Sequence, residues 1–64
     1  MSKLNLTVKL VGEDGNIFNL IRIVRNEMKK HGHDDLVPEF TQYIMNSRHF
    51  EEAIFRISEW VDII

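Results

Sequence analysis

Cysteine is absent from the 64 residues, and with it go disulfide staples, zinc–thiolate centres and cysteine nucleophiles. No apolar run approaches the ~20 residues of a membrane span, so no membrane partner is expected. Neither sign of charge dominates. Eight Lys and Arg against ten Asp and Glu leave a formal net charge of −2, so no chain-wide field points to nucleic acid or a lipid surface. Proline occurs once and glycine three times, and no repeat, linker or low-complexity segment is visible. The opening Met1-Ser2-Lys3 passes directly into an alternating pattern, which points away from a signal peptide and towards the cytoplasm of the expressing cell.

What is present suits one small globular domain spanning 1–64. The hydrophobic fraction is 44%, too high for a disordered chain. A domain of this size buries only about 60% of the surface its unfolded chain exposes, and its core contributes about 3–5 kcal/mol. With disulfides excluded, oligomerisation is the natural remaining stabiliser.

Leu4, Leu6, Val8 and Leu10 alternate with Asn5, Thr7 and Lys9, a period of two that predicts a half-buried strand over residues 4–11. It ends at Gly12-Glu13-Asp14-Gly15, where two glycines tolerate positive φ. Asn16 is a good N-cap. At about 100° per residue, Ile17, Leu20, Ile21, Val24 and Met28 share one face of a helix over 17–31. Lys29, Lys30 and His31 suit its C-terminal dipole, and Gly32 suits the C′ position.

Asp34 or Asp35 is expected to cap a second helix, with Pro38 tolerated in its first turn. Leu36, Val37, Phe40, Tyr43 and Ile44 form its apolar side. Asn46-Ser47-Arg48 breaks the pattern. A third helix over about 49–61 gathers Phe50, Ala53, Ile54, Ile57, Trp60 and Val61. The fold class is therefore α+β, a small β-α-α-α domain with one N-terminal strand packed on three helices.

A lone strand leaves its ladder donors and acceptors unpaired. Two partners are open to it: a short strand within Trp60–Ile64, or the same strand of a second copy across a two-fold axis. The small core favours the second copy, so a homodimer is expected.

Several constellations invite a functional reading. Phe18, Arg22, Arg25 and Lys29 stand at i, i+4, i+7 and i+11, one stripe beside the core face of the first helix. Such a stripe holds a phosphate, a base over the ring, or an acidic protein surface; its bland reading is a solvated helix face. Gly12–Asn16 lies where phosphate loops are found, yet it has too few glycines and no following Lys, and its carboxylates lack EF-hand spacing. A capped turn is the simpler account.

His31, His33 and His49, with Asp34 or Asp35 close by, lie at a helix terminus and in a loop, where such pairs arise by chance. No metal or cofactor is expected. Glu51, Glu52 and Glu59 lie on the outer face of the third helix, and Ser47 with His49 has no third group to orient it. The reading is of a protein that is not an enzyme. Phe55 points about 140° away from Phe50, and Ile63 falls outside the core stripe. With Met45 they suggest a contact surface.

The segment Leu10-Val11-Gly12-Glu13-Asp14-Gly15-Asn16-Ile17-Phe18, together with Trp60-Val61-Asp62, resembles short proteins encoded by bacteriophages and mobile elements. In these a strand runs into a Gly-Glu-Asp-Gly-Asn-x-Phe turn. The likeness covers most of the chain, and its one specific part is that turn. The group has no established activity, so no functional residue carries over. The resemblance implies a protein of the host cytoplasm that inhibits host machinery or a defence system by occupying a protein surface, or that sequesters nucleotide signals between subunits. The expectation is a non-catalytic homo-oligomeric binding protein acting on a host protein through Phe55, Ile63, the strand edge and the Arg22, Arg25 and Lys29 stripe, with Phe18 joining those three cations in the alternative. The alternative is nucleotide or nucleic-acid binding through the basic stripe.

Overall fold

The computed structural model describes residues 2–64. The chain begins with a short strand, β1 (Thr7–Val8), and turns at Gly12. The Glu13 N–H donates to the Leu10 carbonyl at 3.1 Å, and Gly12 takes φ +88°, the backbone a type II turn asks of its third residue. Helix α1 (Ile17–Lys30) follows, its Asn16 cap accepting from the Phe18 N–H at 2.9 Å. Its last turn closes in a Schellman motif: His33 N–H reaches the Met28 carbonyl at 2.8 Å and Gly32 N–H the Lys29 carbonyl at 3.2 Å.

Neither Asp34 nor Asp35 caps the second helix. Both lie inside a single 3-10 turn, Asp34–Leu36, that leads into α2 (Val37–Met45) without a side-chain cap. Pro38 sits in the first turn, where its missing N–H costs nothing. Helix α3 (Phe50–Trp60) is capped by His49, and the chain ends in β2 (Asp62–Ile63).

The strand from the N-terminal part of the chain finds its partner in the C-terminal residues of the same chain. β1 and β2 pair in parallel, with Thr7 opposite Asp62 and Val8 opposite Ile63. Flanking bonds extend the contact: Lys3 and Leu4 N–H donate to the Glu59 and Trp60 carbonyls, and Leu10 N–H to Ile64. The three helices together form the connection between the strands. This removes the argument for a second copy that rested on an unpaired strand.

The strand is far shorter than residues 4–11 because Asn5 adopts φ +56°, a left-handed kink that asparagine tolerates better than most residues. The alternation survives the kink. Val8 and Leu10 are buried, Leu4 and Leu6 half-buried, and Asn5, Thr7 and Lys9 exposed.

The core lies between the sheet and the three helices. Phe40, Met28, Ile44, Ile57, Val24 and Val61 are its largest fully buried side chains, and among the described residues none that is polar or charged is buried. Phe40 meets Trp60 edge to face, with ring centroids 5.4 Å apart. Two expectations fail. Phe50 is half exposed, not in the core, because it is the first residue of α3 and projects beyond the layer that begins at Ala53. Ile63 packs against the core, not outwards, because it sits in β2 and not on α3.

Candidate functional site

Three chain segments meet at one open groove of about 530 Å³, within the size range of ligand and peptide sites. The first turn of α1 contributes Ile17 and Phe18, the end of α2 contributes Ile44 and Met45, and the α2–α3 corner contributes Ser47, Arg48, His49 and Phe50. Phe18 is 63% exposed, Met45 49% and Phe50 50%. These are three of the six large apolar side chains that the described residues leave in solvent, and all three line this groove.

Local hydrogen bonding explains why the walls stand where they do. Asp14 accepts from the Asn16 N–H at 3.0 Å, and its own carbonyl accepts from the Asn19 side-chain amide at 3.0 Å. The Gly-Glu-Asp-Gly-Asn turn thus spends its polar groups on its own backbone and points Phe18 outwards. On the facing wall His49 Nδ1 accepts from the Glu52 N–H at 3.2 Å, while the Glu52 carboxylate accepts from the Arg48 N–H at 2.8 Å. This is a reciprocal cap of the capping-box kind. The bond from Arg48, with Arg56 beside it, holds the Glu52 carboxyl below the usual range.

The groove is apolar with a cationic edge. Arg48 is its one charged lining residue, and no carboxylate lines it. Ser47 Oγ is buried without a hydrogen-bond partner among the described residues, and His49 is committed to its cap, so the Ser47–His49 pair has no nucleophile–base geometry. Among the described residues no three His, Asp or Glu side chains converge as a metal site.

The residues singled out in the sequence are only partly brought together. Phe18 is in the groove; Arg22, Arg25 and Lys29 follow it along α1 and line neither this groove nor the depression beside Trp60. Arg22 bonds Asn19 at 2.6 Å, and Arg25 is half-buried with its Nε unpartnered. Among the described residues none of these three cations has a carboxylate within 4.0 Å. Phe55 stands alone on the outer side of α3, 66% exposed, and Ile63 belongs to the core margin. Met45 and Phe50, not Phe55 and Ile63, complete the apolar patch.

A second depression of about 350 Å³ lies among Lys3, Glu39, Tyr43, Glu59 and Trp60. Its groups satisfy one another. Lys3 pairs with Glu39 at 3.7 Å and stands 4.2 Å over the Trp60 ring, and the Tyr43 hydroxyl donates to Glu59 at 2.5 Å. That bond, with desolvation second, pushes the Tyr43 phenol above its ordinary value. Its pairs tie β1's leading residues to α2 and α3. Among the described residues no helix is long and apolar enough to cross a membrane. The chain matches no protein-family model, no curated protein and no solved structure.

Proposed function

We propose that this chain is a non-catalytic protein-binding domain that receives bulky apolar side chains of a partner in the groove between α1, α2 and α3. One observation carries the reading: Phe18, Met45 and Phe50, all about half exposed or more, line a single concavity. Solvent-exposed aromatic and methionine side chains gathered in one place are the composition of contact sites, not of ordinary surface. Two of the groove's polar side chains, Asn16 and His49, are engaged as helix caps, which supports binding over chemistry. The resemblance to small phage proteins extends the proposal to an inhibitor of a host protein, defence systems included, acting in the host cytoplasm.

Affinity capture from host lysate at about 0.3 M salt, which screens weak exposed charge contacts, tests this. A protein retained by the wild type and lost from the Phe18→Ser/Phe50→Ser variant supports the groove. Retention of nothing, or of the same proteins by both, sinks it. A second reading, an anion site on α1, draws on Arg22, Arg25 and Lys29 having no carboxylate within reach. Nucleotides that bind there raise the melting temperature by mass action, and a panel without effect ends that reading.

A further inference from the structure

The groove leaves two stripes unused, and they are complementary. The first is the exposed Arg22 and Lys29 with the half-buried Arg25 between them on α1, cations with no carboxylate within 4.0 Å among the described residues. The second runs along the outer side of α3, where Glu51, Phe55 and Ser58 recur at i, i+4 and i+7, opposite the buried Ala53, Ile57 and Trp60. All three are exposed, and the exposed Asp62 follows just beyond the helix. Glu51 and Asp62 pair with no cation within 4.0 Å among the described residues. Phe55 stands one turn beyond Glu51 on this face at 66% exposure.

We propose that the occupant of the basic stripe is a second copy of this chain, docking the α3 outer face of one protomer on the α1 stripe of the next. Charge complementarity selects the occupant. Arg22, Arg25 and Lys29 meet Glu51 and Asp62, and the Phe55 ring offers a face to an arginine guanidinium, the preferred aromatic contact of that group. The chain's own composition argues in the same direction. Its two-stranded sheet is near the lower limit of independent stability, and association is the stabiliser open to a small cysteine-free domain. The stripes lie on different helices, so the contact joins unlike surfaces and propagates from protomer to protomer or closes into a ring. It leaves Phe18, Met45 and Phe50 free and does not depend on the proposed groove function.

The experiment uses two variants that leave every groove residue intact: a basic-stripe variant, Arg22→Glu/Arg25→Glu/Lys29→Glu, and an acidic-stripe variant, Glu51→Lys/Phe55→Ser/Asp62→Lys. Sedimentation equilibrium is run between about 1 µM and about 1 mM, the affinity window of a small contact, and circular dichroism verifies that each variant is folded. The wild type is expected to gain mass with concentration, and to lose at least about tenfold in affinity at ~0.5 M salt, as an exposed charge contact must. Each variant alone is expected to be monomeric. Their mixture restores one intact pair of stripes and is expected to form a 1:1 complex. A wild type that stays monomeric throughout overturns the proposal, whether or not the basic stripe then binds an oligonucleotide. So does a variant that associates like the wild type, a mixture that stays monomeric, or association indifferent to salt. If the triple substitutions unfold the chain, Arg25→Glu and Glu51→Lys are mixed instead, with the same outcomes.

Discussion

Gly32 closes α1 in a conformation that side-chain-bearing residues resist. It holds φ +79°, and a Cβ added there meets no atom within 4 Å, so the cost of Gly32→Ala is backbone strain alone. That substitution is expected to destabilise the fold by about 1 kcal/mol, read as a lower urea midpoint with unchanged slope. Gly32 was legible in the sequence because it follows Lys29, Lys30 and His31 at the end of an apolar period. The role of Tyr43 was not, since its partner Glu59 lies on another helix. Glu59 accepts the phenol proton's hydrogen bond and raises the Tyr43 pKa above 10.0. The folded state therefore holds that proton more tightly than the unfolded chain does. The stabilisation is complete below pH 10.0 and is lost as pH rises through the elevated folded value. Absorbance at the phenolate band is expected to show a Tyr43 midpoint above 10.0 in the wild type and closer to it in Glu59→Ala, which has no acceptor at that position. Identical midpoints would remove the hydrogen bond as the cause.

At the scale of elements, the helices were readable and their caps only half so. Asn16 is the residue type that caps, and it caps α1. His49 is not, and it was passed over although it sits three residues before Glu52, the spacing of a reciprocal cap. Asp34 and Asp35 are good capping types that instead occupy a 3-10 turn; residue type alone does not say which turn closes first. Angular spacing places Phe50 in the core because it ignores where a helix begins. Strand length was over-read for the matching reason, since alternation at residues 4–10 continues straight through the kink at Asn5. The cap of α3 makes a measurable claim. Glu52 has its pKa lowered, chiefly by the Arg48 N–H, so its contribution is complete above about 4.5 and fades as pH falls through the folded value. Glu52→Gln is expected to flatten the acid limb of the stability curve between pH 5 and pH 3 while changing little above neutrality beyond a constant offset. Melting temperatures across that range supply the measurement, and parallel curves for the two proteins would count against the cap.

At the scale of the whole molecule, the period of two told which face of β1 is buried but not which neighbour takes its edge. The four residues after α3, Val61 to Ile64, are too few to show a period of their own, and β2 uses only Asp62 and Ile63. The groove was hidden for a related reason: Phe18, Met45 and Phe50 come from three segments that only tertiary packing brings together. Closure by the two strands therefore carries the last expectation. At least four backbone bonds end on residues 62–64: Asp62 to Leu6, Ile64 to Val8, and Leu10 and Val11 to Ile64. At about 1 kcal/mol net each, they amount to about 4 kcal/mol. The core of so small a domain contributes about 3–5 kcal/mol in all. The two quantities are of one size, so a chain ending at Val61 is expected to lose its cooperative thermal transition; Asp62 and Ile64 are exposed, and the half-buried Ile63 is the one side chain it takes from the core margin. Calorimetry of that truncated chain beside an Asp62→Ala/Ile63→Ala/Ile64→Ala variant, which keeps every backbone bond and gives up the same side chains, separates the two contributions. The ladder is the closure if only the truncation abolishes the transition. If both chains melt like the wild type, the helices hold the fold without it.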